Sequence, residues 1–187
     1  MEDRRIRKTK KAFYAALIEL LKENELRNIG VQELCDLADS HRSTFYYHYS
    51  DIYALYDELE SKILDDFSSV VSVSTSHSYD GVYDNIISHL ADKRDVWIVL
   101  LGRHGNPNFK NKVSGILENK HLEIWKYETG REAFSEEFHI LSKASISAFI
   151  ALFTEWLNSD SAGAPGRIKK MLGDLDAAFD TVLEKYI

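Results

Sequence analysis

The stretch Val31–Leu55, VQELCDLADSHRSTFYYHYSDIYAL, decides the fold of the first part of the chain. Its apolar residues are spaced for a short helix over residues 31–38 and for a second short helix over residues 42–49. The three residues between them, Asp39–His41, are too few for anything but a turn. Two short helices joined by a tight turn are typical of a helix-turn-helix, whose second helix enters the major groove of DNA.

The second helix of this pattern carries most of the residues that we expect to contact DNA. An arginine at its start, Arg42, can make a bidentate contact with guanine. The hydroxyl and imidazole groups around it suit phosphates, which position a protein without reading the base sequence. The residues expected to contact DNA are Arg42, Ser43, Thr44, Tyr46, Tyr47 and His48, together with Gln32 from the preceding helix and Arg4, Arg5 and Lys8 from the basic N-terminal segment.

Helical spacing of apolar residues continues along the rest of the chain. It predicts a first helix from about Arg4 to Glu23 and a fourth that starts after Asp51, its N-cap, and runs to about Val73. Five more helices follow, with a loop at Asn158–Gly166 before the last one. The sequence therefore predicts an all-α protein of about nine helices, with a helix-turn-helix domain over residues 1–50 and a helical domain over residues 51–187. Residues 51–73 form the helix that connects them.

Composition and charge limit the possible functions. The 187 residues carry a net charge of −7, which argues against non-specific binding of nucleic acid by the chain as a whole. However, six of the nine basic residues in the first fifty fall within positions 4–11. The one cysteine, Cys35, excludes a disulfide within the chain, and we expect it to be a small buried apolar residue. No apolar run approaches the ~18 residues of a membrane span, so we expect a cytoplasmic protein without a membrane partner.

Other chemistries find little support in the sequence. The seven histidines show no spacing typical of metal ligands, and there is no glycine-rich phosphate loop or nucleophile motif. We therefore predict no metal, no cofactor and no enzymatic activity.

At the helix-turn-helix the sequence resembles the TetR/AcrR family of bacterial regulators. The family's hallmark, Thr-Phe/Leu-Tyr-x-His-Phe/Tyr, is present as Thr44–Tyr49, and its Val-x-x-Ile-Ala helix corresponds to Val31–Cys35. The amino-acid sequence of this motif is most similar to that of a Gram-positive subgroup that includes an activator of a dihydroxyacetone-kinase operon. The motif match covers about residues 5–60. The resemblance implies a homodimeric repressor that binds an inverted-repeat operator in double-stranded DNA and is released by a small-molecule effector. An activator that depends on a ligand or a partner is the alternative.

The resemblance also implies that the larger domain binds the effector and dimerises through its last two helices. The aromatic residues expected to line the ligand pocket are Trp97, Trp125, Tyr127, Phe149, Phe153 and Trp156. The residues expected at the dimer interface are Ala148, Leu152, Glu155, Leu172, Leu175, Phe179 and Val182. Alternatively, both sets are core residues of a single subunit, and a protein partner takes the place of a ligand.

Several positions depart from the family pattern. The turn usually carries a glycine, where this chain has Asp39, and His41 replaces the usual Ser or Asn N-cap. Gly30 stands where a capping hydroxyl is common, and Ser50 and Ile52 stand where lysines often reach the DNA backbone. We therefore expect weaker DNA binding than is usual in the family. A helical adaptor with a degenerate helix-turn-helix, binding a protein partner, is the other hypothesis.

Overall fold

The computed structural model describes residues 4–73, 79–159 and 165–187, and within these ranges the chain is all-α. The predicted class and the number of about nine helices are confirmed for this part of the chain. The helices are α1 (Arg4–Glu23), α2 (Val31–Leu37), α3 (Arg42–His48), α4 (Ile52–Val73), α5 (Tyr79–Asp92), α6 (Arg94–Leu101), α7 (Pro107–Thr129), α8 (Glu136–Asn158) and α9 (Pro165–Leu183), with 3-10 turns at Leu26–Asn28 and Glu184–Tyr186.

The ends of the helices follow from local chemistry. The Asp51 carboxylate accepts a hydrogen bond from the backbone N–H of Ala54 at 2.9 Å, as expected of an N-cap. The loop predicted at Asn158–Gly166 is too long at both ends. Asn158 still belongs to α8, and Pro165 starts α9, because a proline is well suited to the first position of a helix. Residues 160–164 of that loop lie outside the described residues.

The chain divides into two compact units. The first holds Met1–Ile63 and Val99–Asn106, and the second holds Leu64–Ile98 and Pro107–Ile187. This division differs from the predicted boundary after residue 50. The first part of α4 belongs with the helix-turn-helix because Leu55 and Tyr56 are buried in that unit's core. The turn after α6 belongs there as well, because the backbone N–H of Asn106 donates to the Tyr56 hydroxyl at 2.9 Å.

An aromatic cluster forms the core of the first unit. Phe13 of α1 meets the ring of Phe45 of α3 edge-on, with ring centroids 5.5 Å apart. Tyr49 lies within 6.2 Å of Phe13 and 5.6 Å of Phe45. Edge-to-face pairs of this kind stabilise by about 1 kcal/mol beyond the burial of their area. They hold α3 against α1, which leaves the opposite face of α3 available.

The second unit is a bundle in which α8 packs against α7 and α9, and α5 packs against α9. By length and composition, α8 is the one helix among the described residues that is apolar enough to cross a membrane, which the sequence had not suggested. Nine of its side chains are instead buried in the bundle, as in the core helix of a globular domain.

Candidate DNA-binding and effector sites

The outward face of α3 carries four of the side chains predicted to contact DNA. Arg42, Ser43, Tyr46 and Tyr47 are all exposed, and 77% of the Tyr47 surface is accessible to solvent. Phe45, between them, is fully buried. The one buried ring therefore anchors the helix while the polar side chains face outwards, as a recognition helix requires.

Arg42 and Tyr46 form a pair on this face, one helical turn apart. The Arg42 guanidinium lies 5.9 Å from the centroid of the Tyr46 ring, within the range of a cation–π contact. The Tyr46 ring also packs edge-on against the buried Phe45, with centroids 5.5 Å apart. Tyr46 thus links the exposed arginine to the core and restricts where the guanidinium can lie.

Thr44 and His48 are only partly exposed. The His48 ring lies 4.9 Å from Tyr47 and 6.2 Å from Tyr49, between an exposed and a buried ring. Gln32 is exposed, but its amide donates to the Asp36 carboxylate at 2.7 Å. A contact between the Gln32 amide and DNA would have to compete with this pair.

The turn before α3 is strained at the position where the family pattern has a glycine. Asp39 has a φ of 47°, and it is the one non-glycine residue with positive φ in the described parts of the chain. Aspartate tolerates this left-handed region better than most residues, but glycine tolerates it at no steric cost. Neither His41 before α3 nor Gly30 before α2 provides a side-chain cap. The helix-turn-helix is therefore formed, but the backbone of its turn is more strained than it would be with a glycine at position 39.

The basic N-terminal segment is helical and only partly available to DNA. Arg4, Arg5 and Lys8 are exposed on α1, as a contact with the phosphate backbone requires. Lys10 points the other way and makes an ion pair with Glu58 of α4, with a distance of 2.9 Å between Nζ and Oε2. Sequence reasoning did not find Glu58, because its partner lies 48 residues away.

A small cavity of about 30 Å³ lies among α5, α7 and α8 of the second unit. Of the predicted pocket residues, Phe149 and Phe153 line it. The complete lining consists of Tyr79, Val82, Tyr83, Ile86, Leu117, Lys120, His121, Ile124, Ile146, Phe149 and Phe153.

The other predicted pocket residues lie elsewhere. Trp97 packs between Phe67 and Phe109, with ring centroids 5.1 and 5.6 Å away, and Trp125 packs edge-on against Phe138. Both tryptophans are thus core residues, which agrees with the alternative that these aromatic side chains pack in the core of a single subunit.

Tyr127 is 66% exposed, because it faces away from the bundle on α7. Trp156 is buried beside a groove of about 210 Å³ between α8 and α9. The lining of the cavity therefore does not include Trp97, Trp125, Tyr127 or Trp156.

Polar residues that the sequence did not single out occupy one side of the cavity. The Tyr79 hydroxyl lies 3.1 Å from Nδ1 of His121, and Tyr79 stacks on Tyr83 with ring centroids 6.0 Å apart. Burial lowers the pKa of His121 to about 4, so its imidazole is neutral at physiological pH. The spacing of the two tyrosines, four residues apart, could have indicated a shared helix face. Nothing in the spacing of His121 distinguished it from the other histidines.

The predicted dimer residues are mostly on the surface of α8 and α9. Ala148, Leu152, Leu175 and Phe179 are partly exposed, and Glu155 and Val182 are exposed. Leu172 differs from the other predicted interface residues, because its side chain is 0% exposed and packs inside its own chain. It cannot contribute to an interface unless the bundle opens. Within the described ranges, no group of three or more His, Cys, Asp or Glu side chains is placed to hold a metal ion.

Comparison with known proteins agrees with this architecture. Residues 78–175 match the model of a TetR-type family, TetR_C_8, described as "Transcriptional regulator C-terminal region". The search of curated proteins gives no significant match. Among solved structures, a TetR transcriptional regulator from Streptococcus agalactiae 2603V is 29% identical, with a TM-score of 0.61. The alignment covers 91% of this chain and 96% of that one.

Two more distant structures share the fold. The dihydroxyacetone kinase operon activator DhaS is 15% identical, with a TM-score of 0.59 over 95% of this chain and 97% of that one. NalD from Pseudomonas aeruginosa, the secondary repressor of the MexAB-OprM multidrug efflux pump, is 17% identical, with a TM-score of 0.58 over 89% of this chain and 97% of that one. The family match spans more than half of the sequence, and the chain belongs to the TetR family of transcriptional regulators.

Proposed function

We propose that this regulator is a homodimeric, cytoplasmic repressor that binds an inverted-repeat operator through α3 and is released by a small molecule. The observation that carries the DNA-binding part is the outward face of α3, where Arg42, Ser43, Tyr46 and Tyr47 are exposed above the buried Phe45. Arg42 is assigned to guanine recognition, supported by its contact with the Tyr46 ring. The exposed cations of α1 are assigned to the phosphate backbone.

The test is the enrichment of genomic fragments, from the organism that encodes the protein, on the purified wild type and on Arg42→Ala. Enriched fragments are sequenced and bound again over a series of salt concentrations. Arg131→Ala is the matched control, because it removes the same charge from an exposed position in the second unit. We expect wild type and Arg131→Ala to enrich one inverted repeat, and Arg42→Ala to lose about 1–3 kcal/mol of preference for it.

Other outcomes would contradict the proposal in distinct ways. If the wild type enriches nothing even at low salt, the helix-turn-helix is degenerate and the adaptor hypothesis replaces the regulator hypothesis. If it enriches a repeat only after an effector or a partner protein is added, the protein is an activator of the kind named for DhaS. If Arg42→Ala enriches the same repeat as the wild type does, then α3 does not read the bases through this residue.

Dimerisation is assigned to the surface of α8 and α9 that carries Ala148, Leu152, Glu155, Leu175, Phe179 and Val182. The two-fold symmetry of an inverted repeat requires a two-fold dimer. The groove between the two helices is lined by Leu152, Trp156 and Met171, which gives an apolar surface for a second copy.

Sedimentation of the purified protein tests the dimer. We expect Ala148→Arg to shift the mass from two chains to one, because it places a charge at the centre of the surface. The matched control, Ala91→Arg on an exposed position of α5, keeps the dimer. A wild-type monomer at micromolar concentration contradicts the proposal.

The effector site is assigned to the cavity among α5, α7 and α8. Its volume of about 30 Å³ is close to that of a single water molecule, so a larger ligand enters only if the helices move apart. Such a displacement would release DNA if it changes the distance between the two recognition helices of the dimer, which must match half-sites ~34 Å apart. Loss of operator binding on addition of a ligand, prevented by a cavity-filling Ile146→Phe substitution, tests this assignment.

A further inference from the structure

We infer that the cavity of the second unit selects a small, uncharged, mostly apolar molecule with one hydrogen-bond acceptor, such as a carbonyl group, which His121 binds. This inference rests on the effector function proposed above and adds the chemical class of the effector. It is argued from the apolar lining, from the unpartnered nitrogen of His121 and from the charges around the cavity.

The lining of the cavity requires an apolar ligand body. Aliphatic and aromatic side chains from all three helices form most of its wall, including Ile86, Leu117 and Phe153. Phe149 meets the Tyr83 ring edge-on, with centroids 5.9 Å apart. A ligand that separates these groups must replace the contacts that they lose with apolar surface of its own.

His121 supplies the polar contact. Its side chain is 4% exposed, and its Nε2 atom has no hydrogen-bond partner among the described residues. On the other side of the ring, Nδ1 lies 3.1 Å from the Tyr79 hydroxyl. A phenol is a stronger acid than a neutral imidazole, so Tyr79 donates to Nδ1 and the ring hydrogen is on Nε2. A buried N–H without an acceptor is costly, and a ligand carbonyl removes that cost.

The surrounding charges disfavour an anionic ligand. Burial raises the pKa of Tyr79, which lines the cavity, and so do the charges of Asp176, Asp180 and Glu128. The cation in the lining, Lys120, makes an ion pair with Glu123, with 2.8 Å between Nζ and Oε1. A carboxylate ligand would lose its hydration in this apolar lining and would compete with Glu123 for a lysine that is already paired. A ligand whose polar group is only cationic offers no acceptor to Nε2.

The experiment compares three probes of similar size in calorimetric titrations of the full-length protein. Acetophenone has a carbonyl acceptor, isopropylbenzene has the same shape without one, and benzoate has an acceptor with a negative charge. His121→Phe removes the N–H but keeps a ring. Tyr79→Phe keeps the fold of α5 and removes the hydroxyl that orients the imidazole. His139→Phe, at an exposed position on α8, is the matched control.

We expect the wild type and His139→Phe to bind acetophenone about tenfold more tightly than isopropylbenzene, and more tightly than benzoate. His121→Phe should bind the two neutral probes equally, and Tyr79→Phe should reduce the preference for acetophenone over isopropylbenzene. Equal binding of the neutral probes by the wild type, tighter binding of benzoate, or an unchanged preference in His121→Phe overturns the inference. Absence of binding by all three probes overturns it as well. Enrichment of the operator, measured separately, then decides whether the proposed regulator stands without this ligand class.

Discussion

The hydroxyl of Tyr49 donates a hydrogen bond to Oε1 of Glu58 at 2.9 Å, which ties the residue after the recognition helix to the second turn of α4. The same carboxylate accepts from Lys10 and from the Tyr14 hydroxyl, both on α1. Partial burial alone would raise the pKa of Glu58, but the hydrogen bonds from Tyr14, Lys10 and Tyr49 hold it below its usual value. One side chain thus joins three segments of the helix-turn-helix unit.

Removing the Tyr49 hydroxyl should weaken this unit without disturbing its aromatic core. We expect Tyr49→Phe to lower the free energy of unfolding by about 1 kcal/mol, measured by urea denaturation, because one hydrogen bond to a charged acceptor is lost. Tyr53→Phe, at an exposed position on α4, should change it by less than about 0.5 kcal/mol. Equal effects of the two substitutions would mean that the Tyr49–Glu58 bond contributes nothing to stability.

The strained turn predicts a stabilising substitution. Asp39→Gly should raise the free energy of unfolding by about 0.5–1 kcal/mol, because the positive φ of residue 39 carries no steric cost for glycine. Gly130, with a φ of 68°, provides the reverse control, since Gly130→Ala should destabilise by a similar amount. Thermal unfolding of the three proteins measures both changes. A destabilised Asp39→Gly would show that the aspartate side chain makes a favourable interaction that outweighs the strain.

Gly105, in the turn after α6, should not tolerate a side chain. A Cβ atom there would clash with the carbonyl oxygen of Leu100 and would lie 2.9 Å from that of Val99, and neither backbone group can rotate away. We expect Gly105→Ala to destabilise by about 2 kcal/mol or more. Gly115→Ala, on α7 with no atom within 4 Å of the new Cβ, should stabilise by about 0.5–1 kcal/mol. Urea denaturation of both variants distinguishes these opposite signs.

The buried imidazole predicts a loss of stability in acid. The pKa of His121 is about 4 in the folded state, below its ordinary 6.5, so the folded state resists protonation. The buried neutral imidazole contributes fully to the free energy of unfolding above pH 6.5, and this contribution is lost as the pH falls through 4. We expect wild type to lose up to about 3 kcal/mol more than His121→Phe between pH 7 and pH 4.

Denaturation at the two pH values checks this difference, with His139→Gln as the exposed control. A wild type and a His121→Phe variant with the same pH dependence would contradict the burial of a neutral imidazole at this position.

The helix-turn-helix was predictable from the sequence because its signals are local. Phe45 and Tyr49 lie four residues apart and pack on the same side of α3, and Asp51 starts the next helix as a cap. The strained turn at Asp39 also followed from the absence of glycine there. Residues this close in sequence have relative positions that the local helix or turn geometry alone determines.

The residues that line the proposed effector site were not predictable in this way. Trp97 and Phe149 are both aromatic residues on helices, and only the packing of several helices decides that Phe149 lines the cavity and Trp97 does not. The pairing of Tyr79 with His121 joins positions 42 residues apart. Likewise, the apolar stripe of α9 gave no indication that Leu172 faces its own core.

The buried position of Cys35 makes the proposed movement of the recognition helices convenient to measure in this chain. The thiol lies on the buried face of α2, and burial raises its pKa, so little of the reactive thiolate forms at neutral pH. A maleimide dye will therefore label a cysteine introduced at the exposed Ser43, while the native thiol stays silent. Two such dyes, one on each recognition helix of a dimer, would report their separation by energy transfer, with and without an effector, in an otherwise unaltered background.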